Sequence, residues 1–107
     1  MPRVCWSDKA EDSLLNVVRF IIEQNQSLQR GLDVVASVEQ KCLSYSEFPA
    51  AGTSRPDLGP GLRCFPVDNL LIVYRPIRDG IAVILVAHGR QDVRTVVQEI
   101  FGDQSAI

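Results

Sequence analysis

Two apolar runs near the C-terminus constrain this chain more than any other feature. Leu70-Leu71-Ile72-Val73-Tyr74 and Ile81-Ala82-Val83-Ile84-Leu85-Val86-Ala87 have strand length and are rich in β-branched residues. Pro76 to Gly80, ending in Asp79-Gly80, reads as the loop of a hairpin between them. An antiparallel sheet ordinarily keeps one face polar, whereas these strands are apolar on both. The rest of the chain, or a partner, must cover two faces.

The N-terminal half supplies one cover. Ala10, Leu14, Val17, Val18 and Ile21 recur at spacings of three and four, and Leu15 and Ile22 widen the stripe. Ser7 or Asp8 can cap this helix, with Glu11 and Asp12 near its positive end. Asn25-Gln26-Ser27 reads as a break with a fresh cap. Leu28, Leu32, Val35, Ala36, Glu39, Cys42 and Leu43 then keep helical spacing to about residue 44. Gly31 costs that helix about 1 kcal/mol relative to alanine. A connection this short predicts an antiparallel helical hairpin. For the second face, Asp92 can cap a final helix carrying Val93, Val96, Val97, Ile100 and Phe101. The alternative cover is a partner protein, since a large exposed apolar patch usually marks an interaction site.

Residues 3–6 suit a short opening strand. Residues 45–61 hold Pro49, Gly52, Pro56, Gly59, Pro60 and Gly61 and read as a structured loop. Leu62–Val67 forms a strand in which Pro66 suits an edge or bulge, and Asp68-Asn69 turns it back. The expected fold is α+β: an N-terminal strand and an antiparallel helical hairpin packed on a small antiparallel β-sheet, with a short C-terminal helix. A single domain over residues 1–107 is expected at this length. Alternation places Tyr74 with Ile72 and Leu70 on one face, Arg75 with Val73 and Leu71 on the other, and His88 with Val86 and Ile84. Pro76 is expected to stop its strand. Arg63, Arg75, His88 and Arg90 could therefore converge near one end of the sheet.

Charge and composition exclude several classes. The net charge of −2 argues against a protein whose main task is gripping a polyanion. Residues 55–94 nevertheless carry six arginines against four aspartates, a locally basic stretch. Cys5, Cys42 and Cys64 are isolated from one another, no CxxC occurs and His88 is the only histidine, so neither a zinc site nor any other metal or cofactor is expected. Reduced, partly buried thiols are the expectation. No apolar run reaches about 18 residues, so no membrane span is expected. Met1 to Asp8 turns polar too early for a secretory signal, and the expected location is cytoplasmic.

The order strand, helical hairpin, Gly/Pro-rich loop, antiparallel sheet resembles the ParE/RelE superfamily of bacterial toxins, and particular residues sharpen the likeness. Arg55-Pro-Asp-Leu-Gly-Pro-Gly-Leu-Arg63 resembles the loop leading into the sheet of ParE toxins. Asn69-Leu-Leu-Ile-Val-Tyr-Arg-Pro76 resembles their central strand, and Ile81 to Asp92, with His88-Gly89-Arg90-Gln91-Asp92, their closing strand and turn. Trp6-Ser-Asp-Lys-Ala10 and the helix after it also fit.

The resemblance implies the toxin of a type II toxin–antitoxin module, and the superfamily contains two functional classes. ParE-like members are associated with poisoning DNA gyrase by protein binding, without a hydrolytic site of their own. RelE-like members are ribosome-dependent messenger-RNA ribonucleases. A ribonuclease would use Arg63 and Arg90 on phosphate and His88 as general acid or base, but the last 30 residues contain no tyrosine and no lysine. The ParE-like reading implies contacts to target or antitoxin through Arg63, Tyr74, Arg75, His88 and Arg90. It also implies a ParD-like antitoxin forming a hetero-oligomer with this chain and carrying most of the contact with operator DNA. An inactive toxin-like binding module is the third reading.

Overall fold

Ser7 sets where the first helix begins. Its hydroxyl accepts the Ala10 N–H at 3.0 Å, separating β1 (Arg3–Trp6) from α1 (Asp8–Asn25). The computed structural model describes residues 2–88 and 92–97. Gln26 takes the left-handed conformation at φ 48° and ends α1, while the Ser27 hydroxyl accepts the Arg30 N–H and starts α2 (Leu28–Glu47). The break falls where the sequence places it.

Gly31 acquires a reason here. A Cβ at this position would lie 2.6 Å from Ile22 Cγ1 and 2.9 Å from its Cδ1. The missing side chain lets the two helices approach closely, which offsets its helix-propensity cost.

α2 runs past the expected end near residue 44 to Glu47. Tertiary packing accounts for the extra turn. The Tyr45 ring stacks on Phe65 at 4.0 Å between centroids, and the Ser46 hydroxyl, buried, donates to Leu43 O at 2.6 Å. Pro49 then opens a single 3₁₀ turn, Pro49–Ala51, and Thr53–Ser54 forms the two-residue β2.

The remaining strands are β3 (Arg63–Val67), β4 (Leu70–Ile77) and β5 (Gly80–His88). The sheet order is β1-β5-β4-β3-β2. It is antiparallel except that β1 runs parallel to β5, Arg3 against Gly80 through Trp6 against Val83.

Two sequence expectations change at this level. Pro76 does not stop β4, which continues to Ile77 in register with β5. β3 has already ended at Arg63, opposite Tyr74, so the missing N–H of Pro76 falls on a side with no neighbouring strand. Opposite the Val73–Tyr74 step of β4 the register shifts, leaving Ile84 of β5 unpaired as a bulge. Ile81, Val83 and Val86 therefore face one core while Ile84, Leu85 and Ala87 face the other. His88 keeps company with Val86 but not with Ile84.

Both sheet faces are covered. On one, Ala10, Val17, Val38 and Cys42 from the helices pack against Phe65, Ile72, Tyr74, Ile81, Val83 and Val86. On the other, Cys64, Val73, Leu85 and Ala87 meet Leu58 and Leu62 from the long loop and Val97 from the tail. Residues 93–97 are helical, with the Asp92 carboxylate accepting the Thr95 N–H at 3.3 Å. The tail thus serves as the second cover; the sequence had not assigned Leu58 and Leu62 to it. Ile100 and Phe101 lie outside the described residues.

Candidate functional site

Cross-strand pairing places Arg63 directly opposite Tyr74, and both side chains act on the same short turn. Tyr74 is fully buried, its ring packed on Phe65 and tilted against Tyr45. Its hydroxyl donates to Pro49 O at 2.6 Å and accepts the Gly52 N–H at 2.9 Å. Burial raises the phenol pKa, partly opposed by the Gly52 N–H and the Arg63 charge. Arg63 Nη1 donates to Ala50 O at 3.1 Å and Gly52 O at 2.8 Å. A Cβ on Gly52 would overlap the Tyr74 hydroxyl, so glycine is required by close approach. Together these groups hold residues 49–52 against the end of the sheet and leave Phe48 exposed beside it.

His88 lies at the other end. It pairs with Leu70, which in turn opposes Val67. Arg63 stands four positions before Val67 on β3, roughly 13 Å along the strand. The imidazole stacks on Phe20 of α1, centroids 5.9 Å apart and planes within 9°. Arg75 is exposed and, by alternation, belongs to the sheet face opposite Tyr74. Arg78 is exposed in the β4–β5 turn, and Arg90 lies outside the described residues. The expected convergence of Arg63, Arg75 and His88 is therefore not found: antiparallel register separates Arg63 from His88, and pleating separates Arg75 from both. Arg63 is engaged with main-chain carbonyls.

A second charged cluster escaped the sequence reading. Arg55 makes paired contacts to Asp57 at 2.9 Å each, and Arg94 reaches the same carboxylate at 3.3 Å. The Arg55 guanidinium, joined by Arg94, holds the Asp57 carboxyl well below the usual carboxylate range. Hydrogen bonds from Thr95 likewise lower Asp92. Arg55 and Asp57 are two residues apart and could have been paired from sequence. Arg94 arrives from the tail, and no local spacing signals it.

The thiols lie in or beside the core. Cys42 and Cys64 are buried and Cys5 is half-buried, all three unbridged. Burial, with Glu39 adding to it, pushes the Cys42 thiol up to about 12, so it stays protonated. Among the described residues no group of three or more His, Cys, Asp and Glu could hold a metal ion, and no helix is long and apolar enough to cross a membrane.

An antiparallel helical hairpin packed on one face of a five-stranded sheet, with the tail helix on the other, defines the architecture of the small ParE/RelE-type toxins. The family described as "ParE toxin of type II toxin-antitoxin system, parDE" matches residues 4–93, and the chain belongs to it. It is 29% identical over 97 residues to Toxin ParE3 of Caulobacter vibrioides, covering 87% of this chain and 92% of that one. The solved structure described as the chromosomal ParDE TA system from P. aeruginosa superposes with a TM-score of 0.68 at 17% identity, covering 82% of this chain and 96% of that one. That likeness is one of fold.

Proposed function

We propose that this toxin acts in the cytoplasm by binding and inhibiting DNA gyrase, and that a cognate ParD-like antitoxin neutralises it. The observation that carries the choice of mechanism is the separation of Arg63 from His88, two of the groups a ribonuclease would use. Arg63 and the Tyr74 hydroxyl are engaged in holding residues 49–52, and His88 sits at the opposite end of the sheet. General acid–base catalysis requires its groups within hydrogen-bond reach of one reacting centre. Binding to a protein target does not.

The exposed arginines suit an antitoxin segment carrying acidic residues. Arg75 of β4 and Arg78 of the β4–β5 turn are exposed and open to such contacts. Operator DNA would be contacted through the antitoxin in a hetero-oligomer, in keeping with the chain's net charge of −2.

The test is a supercoiling assay with purified gyrase, run with the toxin alone and with antitoxin added. Inhibition, or trapping of cleaved DNA, that antitoxin relieves is the expected result. Ribosome-dependent cleavage of messenger RNA lost in His88→Ala would replace this reading with the ribonuclease. Silence in both assays would leave an antitoxin-binding module without a toxic activity.

A further inference from the structure

A cavity of about 330 Å³ opens between the C-terminal end of α2 and the β4–β5 turn. Ser46, Glu47 and Pro49 line it on the α2 side, and Arg78, Asp79 and Gly80 on the side of the turn. Its volume falls at the lower end of the range for small-molecule sites, roughly 300–1,000 Å³.

Both walls are held in place by contacts within the chain. The β4–β5 turn is tied to β1: the Arg3 N–H donates to Asp79 O at 2.7 Å, and the Arg3 side chain pairs with the Asp79 carboxylate at 3.1 Å. Gly80 lies so close to β1 that a Cβ there would overlap Arg3 O. The end of α2 is tied to the sheet by the stacking of Tyr45 on Phe65, and residues 49–52 by Tyr74 and Arg63. A cavity built in advance spares a ligand the cost of ordering it.

The two walls differ in charge. On the α2 side the Ser46 hydroxyl gives its proton to Leu43 O, so only its accepting lone pairs remain. The helix end adds partial negative charge, and the last turn of α2 has no basic residue to offset it. Glu47 supplies a full negative charge. This wall suits an ammonium group. On the other wall Asp79 is engaged by Arg3, which leaves the Arg78 guanidinium available to a carboxylate. Glu47 and Arg78 are both exposed, and among the described residues neither forms an ion pair, with the other or with a third group.

We infer that this cavity binds a small aminocarboxylate, its ammonium on Ser46 and Glu47 and its carboxylate on Arg78. A ligand carrying both charges satisfies the two walls at once, whereas a singly charged one leaves a wall bare. The inference does not rest on the choice of gyrase as target, and its test involves neither gyrase nor antitoxin.

The test is an NMR titration of the full chain, labelled with nitrogen-15, against 6-aminohexanoate and its shorter homologues down to glycine. The series varies the separation of the two charges; hexylamine and hexanoate carry one charge each. Saturable shifts of the Ser46, Glu47, Arg78 and Asp79 amides are expected, with one member of the series binding most tightly. Hexylamine and hexanoate should each bind roughly fivefold more weakly than that member, the upper range for one exposed ion pair. Glu47→Gln and Arg78→Gln should each weaken the best homologue by a similar factor. Glu47→Gln should leave hexanoate binding unchanged, and Arg78→Gln should leave hexylamine binding unchanged. Both side chains are exposed, and an unchanged urea midpoint would confirm an intact fold. No saturable shift with any member of the series would overturn the inference, as would shifts that persist at full affinity in both variants. Hexylamine binding as tightly as the best homologue would also overturn it, and would make the cavity a socket for a lone cationic side chain of a protein partner.

Discussion

Tyr74 is the residue whose role changes most between sequence and structure. Alternation along β4 is enough to place it on the hairpin side with Ile72 and Leu70, and the packing agrees. Its hydrogen bonds to Pro49 and Gly52 span 25 and 22 positions of sequence, and no short-range pattern encodes them. Tyr74→Phe keeps the ring but leaves Pro49 O and the Gly52 N–H without this partner. A loss of about 1–3 kcal/mol is expected, read from urea denaturation. Gly52→Ala should also destabilise, because its Cβ would overlap the phenol hydroxyl. In the double variant that oxygen is gone, although the ring carbons Cε1 and Cζ stay within 2.7 and 2.9 Å of the added Cβ, so the combined loss should still fall short of the sum of the single losses by about 1 kcal/mol. Strict additivity would mean that the two residues do not share one contact. His88 shows the complementary limit: its face was misassigned relative to Ile84 because one bulge residue inverts the alternation.

At the scale of elements, the long loop proves to be a working part of the core. Leu58 and Leu62 cover the sheet from it, and Asp57 ties it to the tail through Arg55 and Arg94. The Asp57 carboxyl has a folded-state pKa below its unfolded one. Its contribution to stability is therefore present above the ordinary carboxylate range, near about pH 4, and is lost as pH falls through the folded-state value. Asp57→Asn should melt at a lower temperature than the parent at neutral pH, and the difference should shrink as the solution is acidified below that range. A constant difference across pH would show that the charge of Asp57 is not what joins loop and tail. Helices, strands and turns were legible in the sequence because spacing, caps and turn residues are local signals. The end of α2 was not, because Tyr45 and Ser46 are held helical by packing from β3 and by burial. The joining of Arg94 to Asp57 was hidden for the same reason, since it depends on where the tail lies.

For the molecule as a whole, the main hazard is a sheet whose strands are apolar on both sides, which could pair with other copies at its edges. The two edges are closed by different means. β2 covers only Arg63 and Cys64 of β3. In this register residues 63, 65 and 67 turn their peptide groups toward β4, so Cys64 and Pro66 face outward. Proline at 66 removes the next outward N–H, and its ring stays exposed. At the other edge, β1 ends at Trp6 opposite Val83, and beyond it α1 brings Ser13 onto the Val86 N–H. Pro66→Thr would restore a strand-pairing donor without adding a large apolar group. The expected result is a native-like monomer at low concentration that associates as concentration rises, measured by light scattering. Ser13→Ala should instead lower the urea midpoint, by about 1–2 kcal/mol in stability, because a largely buried N–H loses its acceptor. If Pro66→Thr stays monomeric at every concentration, closure of that edge resides in the short β2 and the loop beside it rather than in the proline.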